Sequence, residues 1–282
     1  MVHWEGAERA PVVRPAPAAA AAPAARAAPD GAAADTHEGD PPEGSAKAMK
    51  LAHDIQAVST RLGRVEKALG VPEQKTVTHV VLLQLKKEAT AEEKTAIIEG
   101  LRALPSQIPE IAAYRCGMDL GLDPAAQDIA IVGEFRSVAD YQAYAKHPAH
   151  TRLIASKIKP LLATRAAVQF EHGEAETYVT GTKCGVTHVV ILKLADKSAV
   201  PAIIDGARSL PAKISQIQEY RCGVDLGIDP CGATLALVGS FKCKGCYGGY
   251  AKNADHQALI QDHIKPALAA GGRIAAQFNI EL

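Results

Sequence analysis

The segment Val77–Leu85 reads VTHVVLLQL, and Val186–Leu194 repeats it as VTHVVILKL. A second pair follows in the same order, because YRCGMDLGLDP at Tyr114–Pro124 returns as YRCGVDLGIDP at Tyr220–Pro230. Repetition on this scale decides the architecture before any local pattern does. Two copies are too few for a solenoid. The sequence therefore predicts a tandem duplication of one compact unit, in which each copy has its own core or forms half of a paired one.

The first copy spans residues 76–172, and its hydrophobic pattern changes period several times. Segments that are rich in β-branched residues or alternate in polarity predict strands at 77–85, 111–120, 129–135 and 168–170. Helical periodicity predicts a helix after Thr90 and two more at 137–146 and 149–163. The resulting order, βαββαβ, is that of the ferredoxin-like α+β fold. The second copy, residues 185–282, has the same order and follows a polar linker at 173–184.

Residues 1–70 have no counterpart in the repeats. Residues 1–44 are rich in Ala and Pro and predict a disordered arm, which either stays disordered or orders on a partner. Residues 45–70 predict a helix with an apolar heptad seam at Leu51, Ile55, Val58, Leu62, Val65 and Leu69. Because a heptad stretch this short is marginal alone, it needs a partner surface. That surface belongs either to another protein chain or to its own domain.

Composition restricts the class of protein. The chain has 282 residues, of which 48% are hydrophobic and 22% charged, as expected for two globular domains and a tail. A formal net charge of zero and 4% aromatic residues argue against nucleic-acid binding. The absence of a long apolar run argues against a membrane span, and no signal-peptide core is expected. Six cysteines are too sparse for a disulfide framework, which favours a reducing, cytoplasmic environment.

One cysteine pair invites a metal or redox interpretation. Cys243 and Cys246 form a CxxC motif in the second copy, whereas the matching places of the first copy hold Ser137 and Asp140. The sequence has no second CxxC to complete a zinc site, and the flanking residues are unlike those of thioredoxins. We therefore expect packing thiols and no bound metal. Phosphate-loop, dinucleotide and metalloprotease motifs are also absent, so the sequence predicts no cofactor.

Several motifs together resemble the Dabb family, the stress-responsive α/β-barrel domain. They are the opening-strand His79, the string YAKHPAH at Tyr144–His150, and the strand end Phe170-Glu171. The resemblance implies ferredoxin-like units that pair sheet to sheet into an α+β barrel, either within this chain or as a homo-oligomer. Arg115 and Arg221 occupy matching strand positions, and we expect them to pair across this interface rather than line a solvated edge.

The resemblance also implies candidate catalytic residues, because the family includes a plant polyketide cyclase with a His–Tyr acid–base pair. The motif places this pair at Tyr144 and His150, with His79 near the same pocket. A neutral His removes a proton next to a carbonyl, and a Tyr hydroxyl donates to the enolate. The second copy presents Tyr250, His256 and His188. The same side chains equally serve as structural hydrogen-bonding residues.

The second pocket is expected to differ from the first. The first copy has His147-Pro148 between its last two helices, a break that must bring Tyr144 and His150 together. The second copy has Asn253 followed by alanine, which removes one histidine and the proline. We therefore expect a less well-formed pocket in the second copy.

Two functional hypotheses follow. The favoured one is a non-catalytic binding or structural component of a larger cytoplasmic or cytoskeletal assembly, of which a ciliary axoneme is one example. The arm, the heptad helix and the duplicated module would then be docking elements for protein partners. The alternative is a polyketide-cyclase-like enzyme that uses Tyr144 and His150 on a small carbonyl substrate, with lyase or cyclase chemistry. Neither hypothesis involves nucleic acid or membrane.

Overall fold

The computed structural model describes residues 75–173, 176–180, 185–229 and 231–279, together with positions 58 and 61. The predicted arm at 1–44 and all of the heptad helix except those two positions lie outside the described residues, as do parts of the linker. Within the described ranges, no helix combines the length and the apolar character needed to cross a bilayer.

The first repeat folds in the predicted βαββαβ order. Its elements are β1 (Thr76–Leu85), α1 (Ala91–Arg102), β2 (Ile111–Met118), β3 (Ile129–Phe135), α2 (Val138–Lys146), α3 (Pro148–Leu153) and β4 (Leu162–His172). A 3-10 turn at Leu104–Ser106 follows α1, and a π turn at Ile154–Ile158 follows α3. The strands form an antiparallel sheet in the order β2-β3-β1-β4, and the helices cover one of its faces.

Local signals in the sequence explain where the helices begin. Thr90 and Glu93 form a reciprocal capping box at the start of α1, which satisfies backbone donors of the first turn. Ser137 caps α2 by accepting a hydrogen bond from the Asp140 amide. Helix α1 then buries its apolar stripe, Ile97, Ile98 and Leu101, against the sheet.

The predicted helix over 149–163 is wrong in its second half. The helical segment ends near Ile158, and β4 begins at Leu162 rather than at Val168. The alanines of β4 favour a helix locally. Pairing overrides that preference, because β4 runs antiparallel along the whole of β1, from Leu85 opposite Leu162 to Thr76 opposite His172.

The second repeat has the same order of elements. They are β6 (Val186–Leu194), α4 (Val200–Lys213), β7 (Ile217–Val224), β8 (Leu235–Phe241), α5 (Lys244–Lys252), α6 (Ala254–Leu259), α7 (Lys265–Ala267) and β9 (Leu268–Asn279). A 3-10 turn at Lys197–Ala199 precedes α4, and a π turn at Ile260–Ile264 follows α6. Within the predicted linker, the short strand β5 (Tyr178–Val179) pairs with β7 and extends the sheet to β5-β7-β8-β6-β9.

The two sheets pack face to face within one chain. Their inner faces form one apolar cluster from both repeats, Val80, Leu82, Ala130, Val132, Ala166, Val168, Phe170, Val189, Ile191, Ala236, Val238, Ala276 and Phe278. Backbone hydrogen bonds join the sheet edges, from Leu120 to Gln277 at 2.7 Å and from Leu226 to Gln169 at 2.7 Å. The predicted α+β barrel is therefore built intramolecularly, so its pairing does not depend on protein concentration.

Glycines permit the close approach of the two repeats. A Cβ atom at Gly223 on β7 would lie 2.5 Å from the ring of Phe170, which belongs to β4 of the first repeat. The mirror contact has the same form, because a Cβ at Gly117 on β2 would lie 2.9 Å from Phe278 on β9. Both phenylalanines are fully buried. Where the two sheets meet, an aromatic ring of one repeat thus occupies the space that a side chain of the other repeat would need.

Ion pairs also cross the interface between the repeats, as expected for Arg115 and Arg221. Nη1 of Arg115 donates to Glu219 of the second repeat at 2.7 Å, and Nη2 donates to its other oxygen at 3.1 Å. Arg221 pairs with Glu134 of the first repeat and also with Glu219. The Arg221 side chain is only 2% exposed. These four residues, the interface ion-pair network, hold two positive and two negative charges together at the barrel interface.

Candidate functional site

In the first repeat, the predicted site residues form one cluster between the sheet and helices α2 and α3. His79 on β1 is 3% exposed and lies on the helix-facing side of the sheet, as predicted. Its ring centroid lies 4.9 Å from that of Tyr141 and 6.1 Å from that of Tyr144, both on α2. The ring centroids of Tyr144 and His150 are 4.2 Å apart. Tertiary folding therefore brings His79, Tyr144 and His150 together.

The break at His147 brings the two helices into this arrangement. His147 has an extended backbone, with φ −62° and ψ 136°, and ends α2 while it caps α3. Its Nδ1 accepts a hydrogen bond from the Ala149 amide at 3.2 Å. Pro148 occupies the first turn of α3, where its missing N–H costs nothing. The chain thus turns between Tyr144 and His150, and the two rings lie in contact at an interplanar angle of 36°.

Two further residues, which the family motif did not indicate, complete the cluster. The hydroxyl of Tyr114 on β2 is hydrogen bonded to that of Tyr144 at 3.3 Å. The amide nitrogen of Gln169 on β4 donates to Nδ1 of His79 at 2.8 Å. Both residues recur in the second repeat as Tyr220 and Gln277. The sequence analysis missed both residues, and their repetition is the one signal in the sequence that points to them.

The second repeat contains the same cluster. His188 accepts from Gln277 at 3.0 Å, and its ring centroid is 5.0 Å from that of Tyr247. The ring centroids of Tyr250 and His256 are 4.1 Å apart. Tyr220 and Tyr250 are both buried, at the places that the tyrosine pair occupies in the first repeat.

The doubt about the second copy does not extend to its turn or its His–Tyr cluster, which match those of the first copy. Asn253 has φ −62° and ψ 138°, almost the values of His147, and its side chain caps α6 through the Asp255 amide. An amide oxygen is as good an N-cap as the imidazole nitrogen that it replaces, and the extended backbone alone interrupts the helix. Neither the proline nor the second histidine is needed for the turn.

Burial keeps the clustered side chains uncharged near neutral pH. Desolvation lowers the pKa of His79 to about 3, assisted by the positive charge of Arg165, and His188 behaves in the same way. Burial also lowers the pKa of His150 below its ordinary value. Desolvation raises the pKa of Tyr144 to about 12. The site therefore offers neutral imidazoles as acceptors beside protonated tyrosines as donors.

One hydrogen bond defines the tautomer of His150. Its Nδ1 lies 3.1 Å from the carbonyl oxygen of Ala145, and a carbonyl only accepts. Nδ1 therefore carries the proton, which leaves the lone pair of Nε2 free to accept another. His256 makes the corresponding contact with the Ala251 carbonyl at 3.3 Å. Each repeat thus presents one imidazole in the tautomer that a general base requires.

A loop of the second repeat contributes to a cleft beside the cluster of the first repeat. An open cleft of about 350 Å³ lies beside Tyr141 and is lined by Gln142, Ala145 and Lys146 of α2 and by Ile228 and Asp229 of the second repeat. Arg165 on β4 pairs with Asp229, and the mirror pair joins Arg273 to Asp123 at 2.7 Å. Both repeats therefore line this cleft, and the barrel must be paired for the cleft to be complete.

The described residues contain no group of three or more His, Cys, Asp or Glu side chains placed to hold a metal ion. Of the six predicted seam positions, the described part of the chain includes Val58 alone. It is helical and 64% exposed. The other five, Leu51, Ile55, Leu62, Val65 and Leu69, lie outside the described residues, so their predicted contact with a partner stays a prediction.

These features define a class: a tandem α+β barrel that holds a buried His–Tyr cluster in each half. The family model of the stress responsive A/B barrel domain, Dabb, matches residues 77–172 and 186–280. The chain belongs to the Dabb family, and it contains two copies of the domain.

Several solved structures are similar to this chain. A dimeric ferredoxin-like protein of unknown function from Thermobifida fusca is 35% identical over 35% of this chain and 92% of its own, with a TM-score of 0.33. The hydroxynitrile lyase of Passiflora edulis is 24% identical over 36% of this chain and 96% of its own, with a TM-score of 0.33. An anthrone oxidase-like protein is 10% identical and covers 74% of this chain and 92% of its own, with a TM-score of 0.55, a likeness of fold alone. No curated protein matches the chain.

Proposed function

We propose that the barrel binds small carbonyl compounds in its two pockets and acts on them by acid–base catalysis of the lyase or cyclase type. The observation that carries this proposal is the duplication of the whole cluster, with the same partners and almost the same distances in both repeats. A structural core needs apolar packing. Buried histidines with unprotonated nitrogens beside tyrosine hydroxyls are a costly way to obtain it.

Each side chain has a role that follows from its protonation state. Nε2 of His150 takes the proton next to the carbonyl, and the Tyr144 hydroxyl donates to the enolate oxygen that develops. Tyr114 shares a hydrogen bond with Tyr144 and orients that hydroxyl. Burial strengthens these interactions by excluding water. His256, Tyr250 and Tyr220 perform the same roles in the second pocket.

We expect the protein to catalyse hydrogen–deuterium exchange at the methyl group of acetophenone in D2O, a reaction that requires only proton removal and enolate stabilisation. His150→Gln or His256→Gln alone should remove about half of the rate, because the pockets are equivalent. The double variant should lose at least about tenfold, since a positioned base contributes that much or more. Proton NMR of the methyl signal measures the rate.

The chain offers a matched control for this experiment. His147→Asn introduces the residue that the second repeat already has at Asn253, and it should leave the exchange rate and the stability unchanged. Exchange at the buffer rate in the unmodified protein would contradict the proposal. So would a double variant that exchanges as fast as the parent.

A second candidate is the structural role in a larger cytoplasmic or cytoskeletal assembly. Val58 favours it, because this apolar seam residue is 64% exposed and leaves most of its surface accessible to a partner. The barrel also closes within one chain, so its sheets do not need a second copy. A partner surface for the heptad helix would then have to come from another protein.

We expect the native full-length protein to co-purify as a defined complex, whereas a chain that starts at Thr76 should purify free of partners. Leu62→Asp places a charge on the seam and should also abolish the complex, while Lys67→Asp, off the seam, should not. Size-exclusion chromatography with mass spectrometry of the fractions provides the measurement. If the full chain and the shortened chain both elute as free monomers, this candidate fails.

A further inference from the structure

Two cysteines lie side by side at the beginning of helix α5 in the second repeat. The Sγ atoms of Cys243 and Cys246 are 2.6 Å apart, and both residues are free thiols. Cys243 is exposed to solvent, whereas Cys246 is half-buried. The expectation of packing thiols is therefore wrong for Cys243, because an exposed side chain contributes nothing to a core.

Helix capping does not explain why this position is a cysteine. Sγ of Cys243 accepts the Cys246 amide at 3.1 Å, and in the first repeat Oγ of Ser137 accepts the Asp140 amide at the same distance. Sulfur is a weak acceptor, and serine is a preferred N-cap. The serine of the first repeat shows that the fold is satisfied without sulfur. The pair in the second repeat therefore indicates chemistry that only thiols perform.

The surroundings make the two thiols unequal. Hydrogen bonds from the Cys246 thiol and then from its backbone amide lower the pKa of Cys243, with a contribution from the Lys242 charge. The pKa of Cys246 is raised, chiefly by the same thiol contact. Cys243 is thus the more accessible and more readily ionised thiol, and Cys246 is the neighbour within reach of any adduct that forms on it.

We propose that Cys243 and Cys246 form a redox-active dithiol that exchanges with small-molecule disulfides. The Cys243 thiolate attacks one sulfur of the small disulfide, forms a mixed disulfide and releases one thiolate. The Cys246 sulfur, as it loses its proton, attacks Sγ of Cys243, closes an intramolecular disulfide and releases the second thiolate. The protein loses two electrons and two protons, and the small disulfide is reduced to two thiols.

The dithiol lies on the helix that forms one wall of the second pocket. Tyr247, the residue after Cys246, contacts His188, and Tyr250 is one turn further along α5. The first repeat has Ser137 and Asp140 in the matching places, so oxidation affects one half of the barrel only. The dithiol thereby distinguishes two pockets that are otherwise equivalent.

The test uses full-length protein that carries Cys184→Ser. This substitution removes a thiol outside the described residues, so that it cannot react in place of Cys243 or Cys246. After incubation with glutathione disulfide at neutral pH, peptide mass spectrometry should find Cys243 linked to Cys246. In Cys246→Ser the reaction should stop at a glutathione adduct on Cys243. In Cys243→Ser the reaction at Cys246 should be at least about tenfold slower, because that thiol is less accessible and less ionised. Cys231→Ser, in a different loop, should leave the disulfide unaffected.

A second measurement separates a reactive dithiol from a merely exposed one. The rate of Cys243 alkylation by iodoacetamide, followed against pH, should have its midpoint below the ordinary thiol value of about 8.5. The proposal is overturned if that midpoint is at or above the ordinary value. It is also overturned if Cys246→Ser accumulates no adduct at Cys243, or if glutathione disulfide leaves both thiols reduced in the parent protein.

Discussion

Glu219→Gln should lower the free energy of unfolding by about 3 kcal/mol, because it removes one carboxylate from the interface ion-pair network. The Glu219 side chain is 14% exposed, and it accepts from Arg115 and Arg221. Without its charge, Glu134 is the one carboxylate of the interface ion-pair network that remains to balance the Arg115 and Arg221 guanidinium groups. Removing one partner of a buried ion pair leaves an uncompensated charge, and that cost is several kcal/mol. Urea denaturation at pH 7 measures the change.

The same variant should change how stability depends on pH. Burial opposes ionisation of Glu219, yet attraction to Arg221 and Arg115 lowers its pKa from 4.5 to about 2. The depressed pKa stabilises the fold fully above pH 4.5, and this contribution disappears as pH falls through about 2. The difference in stability between parent and variant should therefore shrink over this range. Glu99→Gln, an exposed residue on α1, should shift stability by no more than about 0.5 kcal/mol. A similar small shift for Glu219→Gln would contradict the prediction.

Gly223→Ala should also destabilise the protein, by about 1–3 kcal/mol, because the new methyl group overlaps the buried ring of Phe170. A Cβ at 2.5 Å cannot be accommodated unless the ring moves, and the ring is fixed in the core between the sheets. Gly117→Ala should have a similar effect through Phe278. Thermal and urea unfolding of the full chain provide the measurement.

Two further variants show whether the contact between Gly223 and Phe170 causes the loss of stability. Gly248→Ala adds the same methyl group to α5 where no atom lies within 4 Å, and it should stabilise by about 0.5–1 kcal/mol through helix propensity. Phe170→Leu in the Gly223→Ala background should cost less than in the parent, because the smaller side chain relieves the overlap. Additive effects of Gly223→Ala and Phe170→Leu would show that overlap with the Phe170 ring is not the cause.

Local sequence determined a large part of the fold. The repeated VTHVV segments formed β1 and β6, Thr90 and Ser137 capped helices, and His147 ended α2. Each of these features depends on residues near one another in the chain, so the local sequence pattern is enough to predict it. The same local view misplaced the start of β4, because its alanines favour a helix until β1 provides backbone partners along its length.

The candidate site was predictable in its motif residues and not in their environment. The resemblance indicated His79, Tyr144 and His150. Tyr114 and Gln169 join them through hydrogen bonds between elements that are distant in the chain. The equivalence of the second pocket also required the structure. Asn253 and His147 are different in chemistry, but each provides a side-chain hydrogen-bond acceptor on an extended backbone, which is the property that this turn requires.

By itself, the sequence determined the duplication, the order of elements and the side of each strand that faces the helices, because repetition and periodicity are local properties. Only the tertiary structure decided that the two copies pair with each other and that their loops are joined to the opposite copy by Arg165–Asp229 and Arg273–Asp123. It also decided that Cys243 and Cys246 meet at an exposed helix start. The ion pairs join residues that are far apart in the chain, and the position of the two thiols depends on the exposure of the surface around them. Neither property produces a periodic pattern in the sequence.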